Sequence, residues 1–210
     1  MQQPWPLPLK IGFETFHPER SSAFFQIAMA RICVERYKFC PQCGGPLEKC
    51  RLKASRPERL CCPNCDFIFY LDPKLVVLAL VPMNGGLVLV RQAKAGRRDL
   101  WILPGGYVDL GETPEEATAR EVQEEICLSV RVSRLLNAYS SPGEQKVVLA
   151  YLTEYISGEL APGDETLEAR FFSPKEIPWD LLGFQATQQA IRDYLRTLGP
   201  GRSALITVGL

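Results

Sequence analysis

The chain has 210 residues, with 24 basic and 24 acidic side chains and a formal net charge of zero. Hydrophobic residues make up 46% and charged residues 23%, the proportions of an ordinary globular protein. Those values argue against a disordered chain, a collagen-like or coiled-coil fibre, and a protein that grips nucleic acid by a broad basic surface. At about 100–200 residues per domain, the length suits one full domain and a small one. No apolar run approaches the roughly 18–20 residues that cross a bilayer, so no membrane partner is expected.

Residues 1–37 read as an N-terminal extension. Met1 to Pro8 is rich in Pro and Gln and should be extended. Ala23 to Arg36 has some helical character and contains Met29. Two readings stand: Met29 is the native start, or the segment addresses the chain to an organelle. Glu14, Glu19 and Glu35 weaken the second, because targeting segments are acid-poor. No basic start followed by an apolar core marks a secretory signal, so a cytoplasmic protein is expected and disulfides are not the first expectation for its eight cysteines.

Residues 38–72 read as a metal ribbon. Cys40-Pro-Gln-Cys43-Gly44-Gly45 and Cys62-Pro-Asn-Cys65-Asp66 repeat one design. Two residues between cysteines let a tight turn aim both thiolates at one ion, and Gly44 and Gly45 tolerate the positive φ of such a turn. Two turns supply four thiolates, the closed tetrahedral set of structural Zn2+, with Cys40, Cys43, Cys62 and Cys65 as ligands. Cys61 could replace Cys62, but only Cys62 repeats the two-residue gap. Cys33 and Cys50 have no partner at ligand spacing and read as spectators.

Residues 73–198 carry a second pattern. Leu75 to Val81, Asn84-Gly85-Gly86 and Leu87 to Val90 read as a β-hairpin. Arg91 to Asp99 reads as a basic loop, and Leu100 to Leu103 as a strand that ends at Pro104-Gly105-Gly106. A helix then starts with Thr113 as N-cap, Pro114 at its first position and Glu116 completing a capping box, and runs to about Ile126. Along it Glu121, Glu124 and Glu125 share an arc about 100° wide, while Ala119, Val122 and Ile126 fall elsewhere. Carboxylates spaced this way repel one another. They form either a solvated acidic face or a site for a hard divalent cation such as Mg2+, which also bridges to phosphate oxygens. Gly105 and Gly106 let backbone approach a ligand closely. Residues 199–210, after Leu198-Gly199-Pro200, read as a loose tail.

Gly106, five residues, Glu112, seven residues, then Arg120-Glu121-Val122-Gln123-Glu124-Glu125-Ile126-Cys127-Leu128 resembles the Nudix box over 23 positions, with every charged position kept. Cys127 stands where the family has Gly, a departure that costs about 1–2 kcal/mol if the position is left-handed. The resemblance implies an α+β fold, an α/β/α sandwich with a mixed sheet. It also implies an enzyme that hydrolyses a nucleoside diphosphate linked to a group X by attack of water on phosphorus. Carried onto this chain, Glu121, Glu124 and Glu125 resemble the Mg2+ (or Mn2+) ligands and Glu112 a further metal or support residue. Arg120 resembles the partner that orients a box glutamate.

The ribbon leading through Phe69 to Lys74, together with Glu168 to Phe172 and Lys175 to Pro178, resembles a zinc-ribbon branch that includes ADP-ribose and FAD pyrophosphatases. Pro142, 15 positions after Cys127, is similar to a proline of ADP-ribose enzymes. The NADH pyrophosphatase branch, or NAD-capped RNA hydrolysis, is the competing reading. That branch carries a Ser-Gln-Pro-Trp-Pro-Phe-Pro motif after the box, and this chain has only an echo of it, at Gln3 to Pro8. A nucleotide-sensing binding module is the reading without chemistry; the complete box glutamates argue against it. Proton-acceptor candidates beyond the box are Glu159, Asp164, Glu165 and Glu168, with Glu165 preferred. Arg91, Lys94, Arg97 and Arg98 could guide phosphate, and Trp101 reads as core. Residues 147–156 suit a strand, at which relatives would suggest a homodimer.

Overall fold

The computed structural model describes residues 36–56, 58–93, 99–141 and 144–198. The expectations for residues 1–35, for Lys94, Arg97, Arg98 and Pro142, and for the tail 199–210 lie outside those residues. The chain divides into two compact units, one ending at Tyr70 and one starting at Leu71.

The first unit is a ribbon of three short antiparallel strands, β1 (Glu48–Cys50), β2 (Arg59–Cys61) and β3 (Ile68–Phe69), in the order β1-β2-β3. Leu60 is buried at its centre, and Tyr37 packs against Phe69 with ring centroids 4.6 Å apart. Cys50 does not stand alone, as its spacing suggests. It is joined to Cys61 by a disulfide with a Cα–Cα distance of 5.9 Å. The β1-β2 ladder explains this, because it sets Cys50 opposite Arg59 and Glu48 opposite Cys61, which makes the two cysteines diagonal neighbours across the strand pair. The bond leaves Cys62 for the metal knuckle.

In the second unit β4 (Lys74–Leu80) lies parallel to β9 (Lys146–Gly158), and β9 pairs antiparallel with β8 (Leu128–Tyr139). A second, four-stranded sheet contains β10 (Thr166–Phe172), β6 (Gly86–Gln92), β5 (Pro82–Met83) and β7 (Trp101–Ile102). The hairpin read from sequence is therefore shorter than expected. Asn84 and Gly85 do take positive φ (49° and 80°), as a tight two-residue turn requires, but the turn joins β5 to β6. The long run expected as the first arm pairs elsewhere. Val77 to Leu80 is buried along its whole length, a run that suits a parallel strand covered on both faces.

Helix α1 (Pro114–Ile126) has the sequence-predicted bounds and cap. Thr113 Oγ1 accepts from the Glu116 amide at 3.2 Å, and Glu116 accepts from the Thr113 amide at 2.8 Å. Val122 and Ile126 are fully buried against Val88, Val90 and Leu128. Helix α2 (Gln185–Thr197), entered from a 3-10 turn at Trp179–Leu181, packs Ala190, Ile191 and Tyr194 on a separate core with Leu80, Leu89 and Leu103. Trp101 belongs to that core, edge-on to Phe172 at 4.7 Å. Two helices on two distinct apolar cores, with strands between, make the α/β/α sandwich of an α+β fold.

Cys127 ends α1 in the left-handed region (φ 59°, ψ 21°), its amide bonded to the Gln123 carbonyl. A side chain there is strained, and glycine is not. Cys127→Gly is expected to raise stability by about 1 kcal/mol, read as a shifted midpoint in urea unfolding.

Candidate active site

The two knuckles bring four thiols together. The Sγ atoms of Cys40, Cys43, Cys62 and Cys65 all lie within 4.8 Å of one another. Backbone amides brace the first knuckle: Gln42 N–H donates to Cys40 Sγ at 3.4 Å and Gly45 N–H to Cys43 Sγ at 3.5 Å. Positive φ falls on Gly44 (74°) and, at the matching place in the second knuckle, on Asp66 (56°). Four soft sulfur donors at mutual contact fit a tetrahedral, thiolate-bound ion and leave no ligand position over.

The second constellation forms where β4 meets α1. The segment Pro104 to Gly106 is pinned along β4, with Val77 N–H donating to the Gly106 carbonyl at 2.9 Å and Ala79 N–H to that of Pro104 at 2.8 Å. This lays the glycine pair against the acidic face of α1. Gly105 N–H donates to Glu125 Oε2 at 2.9 Å. At Gly106 any Cβ would overlap the Glu121 carboxylate. Gly106→Ala is expected to displace that carboxylate and lower kcat about 100-fold, the scale of a 1 Å misplacement, with little change in melting temperature; steady-state kinetics beside a melting curve checks it.

Arg120 organises the acids. Its guanidinium grips Glu112 through two bonds, Nε to Oε2 at 3.0 Å and Nη2 to Oε1 at 2.7 Å. Nη1 reaches Glu121 at 2.9 Å and Glu124 at 3.0 Å, and Nη2 also donates to the Tyr107 carbonyl. This ion pair, with the Asp109 amide, holds the Glu112 carboxyl well below the usual range, at about 2. Burial works the other way on the helix: it raises Glu121 and pushes Glu125 up to about 7. Glu125 is only 6% exposed, so a freely solvated acidic face does not describe this helix. Glu124 is the outer member, with its side chain 58% exposed. Three carboxylates on one guanidinium, with the buried Glu125 beside them, leave excess negative charge in partly dry surroundings. Hard oxygen donors in that state fit a divalent cation held by a few carboxylates, with its remaining positions left to water and phosphate.

Two of these acids, Glu121 and Glu125, border a cavity of about 350 Å³. Gly105, Gly106 and Arg120 also border it, and so does Glu165. The loop before β10 closes on the end of α1, with Gly163 N–H donating to the Glu125 carbonyl at 3.0 Å, and this brings Glu165 to the cavity. Of the other acids considered for the same role, Glu168 is ion-paired with Arg91, and Glu159 and Asp164 do not border the cavity. Arg91 is thus occupied internally, by Glu168 and by the Trp101 ring. Gln92, Tyr107, Lys146, Phe184 and Thr187 also border the cavity. Sequence reasoning missed them, because their places are set by strand pairing and by the entry to α2 rather than by a motif.

The NUDIX domain family model matches residues 72–194, and the Nudix N-terminal family model matches residues 38–71. The chain is 34% identical over 131 residues to an ADP-ribose pyrophosphatase of Methanocaldococcus jannaschii, covering 60% of this chain and 76% of that protein. It is 30% identical over 149 residues to the NAD-capped RNA hydrolase NudC of Stutzerimonas stutzeri, covering 69% of this chain but only 51% of that longer protein. The crystal structure of a NUDIX hydrolase from Nitrosomonas europaea superposes with a TM-score of 0.73 at 31% identity, covering 80% of this chain and 96% of the other. With the family model spanning most of the chain, and Gly106, Arg120, Glu121 and Glu125 of the box bordering one cavity, the protein belongs to the Nudix hydrolase family.

Proposed function

We propose that the protein hydrolyses the pyrophosphate bond of ADP-ribose, FAD or both, releasing AMP. The observation that carries this reading is a cavity of about 350 Å³, large enough for a nucleotide, bordered by Glu121, Glu125 and Arg120, whose guanidinium also holds Glu112 and Glu124. The 34% identity to an ADP-ribose pyrophosphatase supports the substrate. NADH or an NAD-capped RNA is the second reading, favoured by the similarity to NAD-capped RNA hydrolases, of which this chain spans about half the length.

In this proposal Glu121, Glu124 and Glu125 hold Mg2+ or Mn2+, and Cys40, Cys43, Cys62 and Cys65 hold Zn2+ in a structural role. The division of labour follows: residues 38–72 form the ribbon and residues 73–198 the hydrolase domain. The divalent cation, when bound, neutralises pyrophosphate oxygens and acidifies water. Arg120 keeps the helix carboxylates in place through its bridge to Glu112. The Gly105 amide orients Glu125, and Gly106 leaves room for Glu121 to face the cavity. Glu165, exposed at the cavity edge, accepts the proton of the attacking water. Incubation with ADP-ribose, FAD and NADH in magnesium, followed by measurement of AMP, ranks the substrates. AMP mainly from NADH would replace the first reading with the second.

A homodimer is part of the proposal. It is supported by exposed Leu135, Tyr155 and Ile156 on the long β8-β9 pair, and sedimentation tests it. Among the described residues no helix is long and apolar enough to cross a membrane. A four-thiolate metal site suits the reducing cytoplasm, whereas the Cys50–Cys61 bond suits an oxidising compartment. Counting free thiols in protein isolated from its source separates the two.

A further inference from the structure

The cavity has two unlike walls. Glu121, Glu125 and Glu165 make one acidic; Val76, Leu78, Val148 and Ala186 make the other apolar, and Phe184 stands at the rim. Phe184 has an unusual backbone. Its φ of 56° and ψ of 134° lie in a region that side-chain-bearing residues rarely enter, so the backbone is strained there. The residue is 37% exposed, so part of it remains open at the rim.

Three further features surround this ring. Lys146 Nζ lies 5.0 Å from its centroid. Lys146 is also the register partner of Lys74 across the β4-β9 ladder, and Lys74 lies 4.9 Å from the Tyr107 ring. Glu144 Oε2 lies 3.7 Å from Lys146 Nζ, a partly exposed and therefore weak pair that leaves the ammonium able to meet a further anion. Beyond the ring, α2 begins without a side-chain cap, so its first amides face outward from the helix end. Thr187, in that first turn, borders the cavity and is fully buried, and its Oγ1 has no hydrogen-bond partner among the described residues. A buried hydroxyl left unpaired is costly, and a ligand with an acceptor nitrogen would satisfy it.

We infer that the start of α2 is the subsite for the heteroaromatic base of the substrate. Phe184 supplies the stacking face, Thr187 Oγ1 a hydrogen bond to a ring nitrogen, and Lys146 a cation for the adjoining phosphate. The inference rests on the nucleotide reading above for the identity of the ligand. It goes further in naming what selects a base-bearing substrate over a bare sugar phosphate. The strain at Phe184 then has a function, since it holds an aromatic face at the cavity rim.

The test is calorimetric binding of AMP, FMN and ribose 5-phosphate, in magnesium, to the full chain and to Phe184→Gly, Phe184→Leu and Phe184→Tyr. Glycine relieves the positive φ and so offsets part of the packing lost with the ring, and a melting curve of each variant confirms that it is folded at the assay temperature. The parent should bind AMP or FMN at least about 10-fold more tightly than ribose 5-phosphate, the scale of one base stacked on one aromatic ring. Which of the two it prefers distinguishes adenine from flavin. Phe184→Gly and Phe184→Leu should close that gap and leave ribose 5-phosphate unchanged, and Phe184→Tyr should keep it. Thr187→Val should weaken the favoured nucleotide about fivefold, and unchanged binding would remove the hydroxyl from the subsite. Equal affinity of the parent for all three ligands, or a gap that survives in Phe184→Gly and Phe184→Leu, would overturn the inference. Binding needs no turnover. A protein that releases no AMP from ADP-ribose, FAD or NADH therefore sinks the hydrolytic reading alone, and one that does so without a base preference sinks the subsite alone.

Discussion

Glu124→Gln is expected to lower kcat by at least about 100-fold while the protein stays folded and keeps its zinc, because removing a cation ligand should cost more than removing the groups that merely support one. Its side chain is 58% exposed and bonds only Arg120 among the box residues, so the amide loses one screened surface pair. Glu125→Gln would be a less clean test, since that side chain is buried and takes the Gly105 amide. The measurement is AMP release at saturating substrate, beside a melting curve and a zinc assay. Full turnover in folded Glu124→Gln protein would remove the box carboxylates from the proposed metal site.

Cys62→Ser is expected to lose the bound metal and the fold of the ribbon. Among the described residues of that unit Leu60 is the one buried aliphatic side chain, alongside Cys40 and Cys62. So small a core cannot hold three short strands by itself, and binding of a structural zinc contributes on the order of 10 kcal/mol to such modules. Zinc per chain, measured by atomic emission, should fall from about one to none in Cys62→Ser, the stoichiometry a single four-thiolate site requires. Cys50→Ser, which breaks the disulfide without touching a ligand, should keep it. A Cys62→Ser protein that retains a full equivalent of zinc would show that the cysteine quartet is not the ligand set.

Much of the site was legible because its grammar is local. The N-cap, Pro114, the capping box and the 3.6-residue spacing act within one helix, and each was read at the residue where it stands. The two-residue gaps between cysteines act within single turns, and they specify the knuckles with the same directness. Pairing between distant segments was less legible. The run at Leu75 to Val81 is apolar and followed by a turn, so it resembles a hairpin arm. Nothing within it reveals that its partner is β9, some seventy residues on. Cys50 looked solitary for the same reason, since only the β1-β2 ladder brings it to Cys61.

The sequence by itself determined the helix of α1, the acidic residues it carries, the four-thiol set and the family, because all of these rest on residue types at short, fixed spacings. Only the tertiary structure decided that Glu125 is buried and raised to about 7 while Glu112 is held near 2 by Arg120. It also decided that Glu165, alone of the four loop acids considered, borders the cavity, and that Phe184 and Thr187 face the same space. Burial, charge pairing and convergence are properties of the packed chain: they depend on which segments meet across β4, β9 and the entry to α2, and no spacing along the chain encodes that meeting.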